Sequence, residues 1–322
     1  MIGIKAIKPF ITGKKISVKN LPEAANLTST ELEYFNNCGV ESIYDSGDCS
    51  SYDLAKGAAE RLLQESGVAP EKIDAIIYIK SRVPDFLISS EATRLKYELN
   101  ATKSLTFSIT DLGCADISMA LKLAKDILTA NRKYQNILIC YGNKQFSKSR
   151  FRYPVNILGD GGIAVLIGRT EENKIVDIQF ASNGNYWDLF KIDYKNTTFD
   201  KYSEECSDLR KYGFELAIES RNRFEELNDN VIITNNLQKS DIKYYVLQNI
   251  SSRAYDYYEN AFFIKFSPVC KINLAEYGHL GSADIMLNYH IGVSSGLFEK
   301  GSYVLIMNNS PVAAWSSMLI QV

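Results

Sequence analysis

Short uninterrupted apolar runs recur along the chain at Ala75-Ile76-Ile77-Tyr78-Ile79, Asn136-Ile137-Leu138-Ile139-Cys140, Ile163-Ala164-Val165-Leu166-Ile167, Tyr244-Tyr245-Val246-Leu247 and Tyr303-Val304-Leu305-Ile306-Met307. Runs of this length predict strands covered on both faces. Helical patterns lie between them, over 52–66, 118–130 and 284–297. Leu105, Phe107 and Ile109 instead alternate with polar residues, the pattern of a strand with one buried face. From Ile117 onward apolar residues fall at 120, 121, 124, 127 and 128, which is one face of a helix. Strands alternating with helices predict an α/β fold whose sheets are covered.

The pattern also repeats. Gly113-Cys114-Ala115-Asp116-Ile117 opens a helix that leads to the strand around Leu138, and Gly281-Ser282-Ala283-Asp284-Ile285 opens another that leads to the strand around Leu305. The spacing in the two is nearly the same. The strand and helix preceding each block correspond loosely as well, 74–95 against 241–263. Duplication explains this better than chance. It predicts two similar halves, 1–170 and 171–322, related by a pseudo-twofold axis with the two helices facing each other. Cys114 would then begin one helix, and His279 would stand just before the other.

Composition narrows the function classes. The chain has 322 residues, 46% hydrophobic and 23% charged, with a formal net charge of -2. That suits a folded globular protein and gives no basic face for nucleic acid. The six cysteines (38, 49, 114, 140, 206 and 270) form no CxxC pair and no zinc-type spacing. They read as buried thiols in a reducing compartment, and no metal site is expected. No secretion signal is visible at the N-terminus, and no apolar run nears the ~18 residues of a membrane span, so a cytoplasmic protein is expected.

Candidate chemistry gathers at two turns. Cys114 lies between the alternating strand and the helix, where free backbone N–H groups and the helix dipole favour a thiolate and can hold an oxyanion. A lone cysteine is more often a small buried hydrophobe; Cys140, in mid-strand, fits that reading. His279 is one of only two histidines, stands beside Gly278, and is followed by Asp284. Thiol, imidazole and carboxylate are the parts of an acyl-transfer site. A carboxylate in the first helical turn, such as Asp284 or Asp116, also has a purely structural use against the dipole. His290 reads as a packed or surface residue, and Asp160 with its glycines as a turn former.

These residues resemble the ketoacyl-ACP synthase III family, which has the thiolase fold, over nearly the whole chain. Tyr52-Asp53-Leu54-Ala55 with Ala58-Ala59 resembles the family's early helix, and Ile73-Asp74-Ala75-Ile76-Ile77 the strand that follows. Gly113-Cys114-Ala115 matches its nucleophile motif. Leu158-Gly159-Asp160-Gly161-Gly162-Ile163-Ala164 resembles its Gly-Asp-Gly-Ala segment, and Trp315 falls where a C-terminal tryptophan is common. The resemblance implies duplicated α/β halves forming a five-layered α-β-α-β-α core, a homodimer, and an acyl-CoA or acyl-phosphopantetheine carrier protein as substrate, with no permanently bound cofactor.

Departures from the family pattern redirect the activity. The condensing histidine of a His-Gln-Ala-Asn motif is read as Leu247 in Leu247-Gln248-Asn249-Ile250, and the condensing asparagine as His279. The remaining Cys114, His279 and Asp284 are similar to a divergent subgroup in specialised metabolism that uses a Cys–His–Asp triad to move acyl groups onto hydroxyl or amine acceptors. The implied mechanism is ping-pong and non-decarboxylative. The alternatives are a condensing enzyme of the same fold and a catalytically silent partner subunit; the intact Cys and His argue against the last. Arg152 matches a family arginine that meets the phosphopantetheine donor, with Lys148 and Arg150 adding charge nearby. Asp116 stands where the family usually has glycine. The family's second oxyanion donor is a backbone N–H in a segment that here reads Asn308-Asn309-Ser310-Pro311-Val312; Pro311 has none, so Ser310 or Val312 must supply it, or the donor is missing. The segments 80–90 and 183–212 carry no readable code; the second, rich in Tyr, Asn and Asp, is a candidate lid or acceptor site.

Overall fold

The computed structural model describes residues 1–80, 83–147 and 149–322. Its main strands are β1 (Ile2–Phe10), β2 (Ala75–Ile79), β3 (Leu105–Ile109), β4 (Asn136–Asn143), β5 (Gly161–Arg169), β6 (Lys174–Ser182), β7 (Ile242–Leu247), β8 (Tyr303–Asn309) and β9 (Ala314–Gln321). The helices are α1 (Ser29–Asn37), α2 (Ser51–Ser66), α3 (Glu91–Glu98), α4 (Asp116–Ala130), α5 (Ala217–Thr234), α6 (Ser252–Phe262), α7 (Pro268–Tyr277) and α8 (Asp284–Ser294).

The nine strands hydrogen-bond in the order β7-β8-β9-β6-β1-β5-β4-β2-β3. Outward from β1, the pairings run antiparallel to β5, antiparallel to β4, then parallel to β2 and β3. Outward from β6 they run antiparallel to β9, antiparallel to β8, then parallel to β7. A parallel bridge from Tyr245 to Phe266 takes the place of a fifth strand. The two series meet where Gly3 pairs with Lys174. The turn between β5 and β6 therefore separates two halves of matching topology.

Alternation along the strands assigns the layers. Ile76 and Tyr78 of β2, Leu138 and Cys140 of β4, and Ala164 and Leu166 of β5 pack beneath α2 through its Tyr52, Ala55, Ala59 and Leu62. Their neighbours Ile77, Ile79, Ile137, Ile139, Val165 and Ile167 face the opposite way, onto Ile117, Leu121, Ala124 and Leu128 of α4. A period of two on a covered strand produces this division, and burial of each large side chain contributes about 1.5–3 kcal/mol. In the second half α5 packs on β9 and β6, while α8 packs on β7, β8 and β1. With α4 and α8 inside and α2 and α5 outside, the core has five layers, α-β-α-β-α.

Local chemistry shifts several expected boundaries. Ser50 and Asp53 form a reciprocal cap that starts α2 at Ser51. The helix after Asp284 stops at Ser294, short of 297, because Gly296 adopts a left-handed φ of 72° and the Phe298 N–H returns to the Gly292 carbonyl at 3.0 Å. Among the described residues no helix is long and apolar enough to cross a membrane.

Candidate active site

The duplicated turns are alike in backbone as well as in sequence. Gly113 and Gly281 have φ of 58° and 61°, a conformation that suits glycine, and each opens one 3-10 turn (Gly113–Ala115 and Gly281–Ala283) before the α-helix begins. In each, the aspartate at the helix start accepts a backbone N–H four residues earlier. Leu112 donates to Asp116 Oδ1 at 3.1 Å, and Leu280 to Asp284 Oδ1 at 2.7 Å. The two turns touch directly, since the Ser282 hydroxyl donates to the Gly113 carbonyl at 3.0 Å. Duplication thereby brings Cys114 and His279, 165 residues apart, to 3.3 Å between Sγ and Nε2.

His279 is fixed from both directions. Its N–H donates to the Ile157 carbonyl at 2.9 Å, and its carbonyl accepts from Gly159 N–H at 3.1 Å, so the residue is sewn to the segment preceding β5. Its Nδ1 meets Asp284 Oδ2 at 2.5 Å. The same oxygen accepts the Asn249 N–H at 3.0 Å, so the fully buried carboxylate is held by three donors. Asn288 in turn donates to the Asn249 side-chain oxygen at 2.9 Å and Asn273 to Asn288 at 2.8 Å. Asn249, Asn273 and Asn288 form a buried polar chain behind the carboxylate that orients it. Sequence reading quoted Asn249 within the 247–250 motif but gave none of the three a role, since nothing in their spacing links them.

The electrostatics follow from this packing. Burial alone drives the His279 pKa down, but the Asp284 carboxylate and the negative charge of Cys114 outweigh it, and the value is raised to about 10. At neutral pH the ring is therefore a cation, donating through Nδ1–H to Asp284 and presenting Nε2–H to sulfur. Cys140, with no such neighbours, is pushed up by burial alone. All six cysteines are free thiols.

Two cavities meet at the sulfur. One is bordered by polar residues, among them Lys80, Asp116, Asn143, Gln145 and Ser282, together with Phe146, Phe151 and Leu158. The other is narrow, about 40 Å³, and is lined by Val155, Tyr212, Gln248, Ile250 and Ser310. Tyr212, Ile250 and Asn309 continue from it into an outer groove of about 470 Å³ bordered by Tyr34, Tyr257 and Arg253. Ser203, Glu204 and Tyr212 all come from the 183–212 segment with no readable code, so that region does furnish walls of both cavities.

Several expected residues take different places. Leu247 is fully buried in the core and lines neither cavity; the members of that segment that do are Ile250 and Gln248, whose Oε1 accepts the Asn309 N–H at 2.9 Å. Side chains on a strand alternate faces, so a one-residue displacement decides which of the two looks into the site. Arg152 is 6% exposed, pairs with Glu204 at 3.1 Å, and borders both cavities from inside. Arg150 is also turned inward. It is buried on Asp160 with Asp45 and Lys144 alongside, and Asp160 also accepts the Ser46 and Gln145 N–H groups. Lys148 lies outside the described residues. Trp315 is buried with its indole N–H donating to Ser220 at 2.9 Å, and His290 is half-buried away from the sulfur. No group of His, Cys, Asp and Glu among the described residues is placed to hold a metal ion.

Comparison with known proteins places this geometry in context. Residues 109–184 match the model of 3-oxoacyl-[acyl-carrier-protein] synthase III, and residues 232–322 match the model of its C-terminal part, together more than half of the chain. The beta-ketoacyl-[acyl-carrier-protein] synthase III of Campylobacter jejuni (strain RM1221) is 25% identical over 324 residues, covering 99% of this chain and 97% of that one. Among solved structures, 3-oxoacyl-[acyl-carrier-protein] synthase III from Aquifex aeolicus VF5 superposes over the whole of both chains with a TM-score of 0.81 at 18% identity. ChlB3, described as an acyltransferase, superposes on 100% of this chain and 97% of its own with a TM-score of 0.86 at 19% identity. At these identities the superpositions establish the thiolase-like fold.

Proposed function

From the premise that the chain belongs to the 3-oxoacyl-[acyl-carrier-protein] synthase III family, we propose that it is a cytoplasmic, homodimeric acyltransferase that carries an acyl group on Cys114 and delivers it, without decarboxylation, to a hydroxyl or amine acceptor in the biosynthesis of a specialised metabolite. The observation that carries this reading is the buried Cys114–His279–Asp284 chain, with 3.3 Å and 2.5 Å between successive members.

In the first half-reaction the sulfur attacks the thioester carbonyl of an acyl-CoA or acyl carrier protein, and the His279 cation protonates the departing thiolate. Formation of the acyl-enzyme removes the negative charge on Cys114, one of the causes of the raised His279 value. The ring pKa then falls, and the neutral imidazole becomes a base for the acceptor. Asp284 holds Nδ1 protonated throughout, keeping Nε2 toward the reacting atoms. The outer groove bordered by Tyr34, Tyr257 and Arg253 suits a phosphopantetheine arm, which would reach the sulfur past Ile250 and the buried Arg152. The polar cavity on the other side suits the acceptor.

Incubation with acyl-CoA and acyl-carrier donors followed by intact mass measurement tests the reading. The wild type is expected to gain one acyl mass and Cys114→Ala none, while His279→Ala gains the mass more slowly, for want of the cation beside the sulfur, and fails to pass it on. No adduct from any donor would sink the proposal. Gln248 supports a second reading, because its amide borders Cys114 and His279 and could hold an enolate. A malonyl thioester offered as second substrate is expected to release no carbon dioxide; release would return the enzyme to carbon–carbon condensation.

A further inference from the structure

Attack by sulfur on a thioester carbonyl places a negative charge on the carbonyl oxygen, and a water-poor site must meet that charge with positioned donors. The Cys114 amide, in the first turn before α4, is one by position. Across from it lies the connection between β8 and β9. There the Ala313 N–H donates to the Ser310 carbonyl at 3.1 Å and the Ser310 N–H to the Ala314 carbonyl at 2.9 Å. Pro311 thus takes the second position of a tight turn, where its fixed φ fits. The Ser310 and Ala313 amides are committed to the hairpin and proline has none to offer, which leaves the Val312 N–H as the backbone alternative to a side chain.

The side chain of Ser310 is differently placed. The residue is 2% exposed, and its hydroxyl has no hydrogen-bond partner among the described residues. Leaving a buried hydroxyl unsatisfied destabilises a fold, so one that is retained points to a partner that arrives with the substrate. Ser310 borders the same narrow cavity as Cys114 and His279. A β-carbon built on Gly113 would lie 3.2 Å from Ser310 Cβ and 3.6 Å from its Oγ. Asn308, two residues earlier, donates to the Cys114 carbonyl at 2.8 Å, tying this connection to the nucleophile's own peptide. Asn156 Oδ1 and Asn309 Oδ1 are also buried without a partner beside that cavity, but both are acceptors and would repel an oxyanion.

We propose that the Ser310 hydroxyl is the second oxyanion donor, a catalytic residue that supplies from a side chain the hydrogen bond that Pro311 removes from the backbone. This rests on Cys114 being the acylated nucleophile. A sulfur lone pair forms the new C–S bond while the carbonyl π pair moves onto oxygen; Ser310 donates a hydrogen bond to that oxygen and keeps its proton. Collapse re-forms the carbonyl, breaks the bond to the donor's sulfur, and releases the donor thiol with a proton from His279. The same hydroxyl serves the second tetrahedral intermediate, when the acceptor attacks.

p-Nitrophenyl acetate tests this without any need for carrier recognition, because it acylates the thiol and releases a coloured phenolate. The wild type is expected to give a burst that Cys114→Ala lacks. Ser310→Ala should slow that burst about 100–1,000-fold, the cost of losing one oxyanion donor, and Ser310→Thr, which keeps a hydroxyl, should retain most of the rate. Alkylation of Cys114 by iodoacetamide builds no oxyanion and should run at wild-type speed in Ser310→Ala. The melting temperature of that variant should be unchanged or higher, since a buried hydroxyl without a partner has been removed. An unchanged burst in Ser310→Ala overturns the proposal. Alkylation slowed in step with acylation overturns it too, as that marks a displaced Cys114. With the burst slowed as expected, refusal of every CoA and carrier thioester would count against the donor class proposed above while Ser310 kept its role.

Discussion

At His279 two neighbours determine the charge of one ring, so each can be removed to read the other. The raised pKa means that the ion pair with Asp284 stabilises the fold fully below the ordinary histidine value, about 6.5, and that this contribution is lost as pH rises toward the folded value of about 10. Asp284→Asn is therefore expected to cost about 3 kcal/mol at pH 6, with the gap to wild type narrowing as pH rises. Urea denaturation at a series of pH values measures it, and a gap independent of pH would contradict the assigned charge. Cys114 and His279 were recognisable in the sequence because reactive side chains of rare type stood in glycine-flanked turns. Gln248 was not, because whether it or Leu247 faces the site depends on how β7 ends.

Among the elements, the connection from β4 to β5 shows how charge is used structurally. Asp160 is fully buried; burial pushes its pKa up, but Arg150 and the Gln145 and Ser46 amides outweigh this and the carboxyl stays below the usual range. Its stabilising contribution is present above the ordinary carboxylate value and lost as pH falls below about 4. Asp160→Ala leaves Arg150 buried without its main partner and should cost about 3–5 kcal/mol. Calorimetry at pH 7 checks it; a loss under about 1 kcal/mol would show that Asp45 compensates. The sequence suggested a turn here from the glycines. It could not show that the nearby Arg150 folds inward onto the aspartate, since only the three-dimensional path of residues 144–160 makes that pair.

For the molecule as a whole, strand order leaves β3 at one edge of the sheet, with Leu105 54% exposed. Phe86, Leu87 and Ile88 are exposed nearby in sequence, Ile88 completely. An open strand edge and a run of exposed apolar side chains are each the kind of surface a second copy covers, and both support the proposed homodimer. Light scattering is expected to give twice the 36.2 kDa chain mass. The double change Leu87→Asp and Ile88→Asp should yield a monomer with an unchanged circular dichroism spectrum; a monomeric wild type would refute the dimer.

What the sequence determined by itself was the periodicity and its repetition. Apolar runs such as Ile163 to Ile167 can be satisfied only between two layers, and a turn used twice, at Gly113 and at Gly281, requires two comparable helix starts. From those alone come the α/β class, the duplicated halves and the expectation that sulfur and imidazole converge. Tertiary structure decided the rest. It turned Arg150 inward, set Gln248 in place of Leu247, assembled three asparagines behind Asp284, and left the Ser310 hydroxyl buried against the nucleophile's turn. Each of these depends on contacts between segments remote in the chain, where distance and direction in space, which one-dimensional spacing does not encode, select the partner.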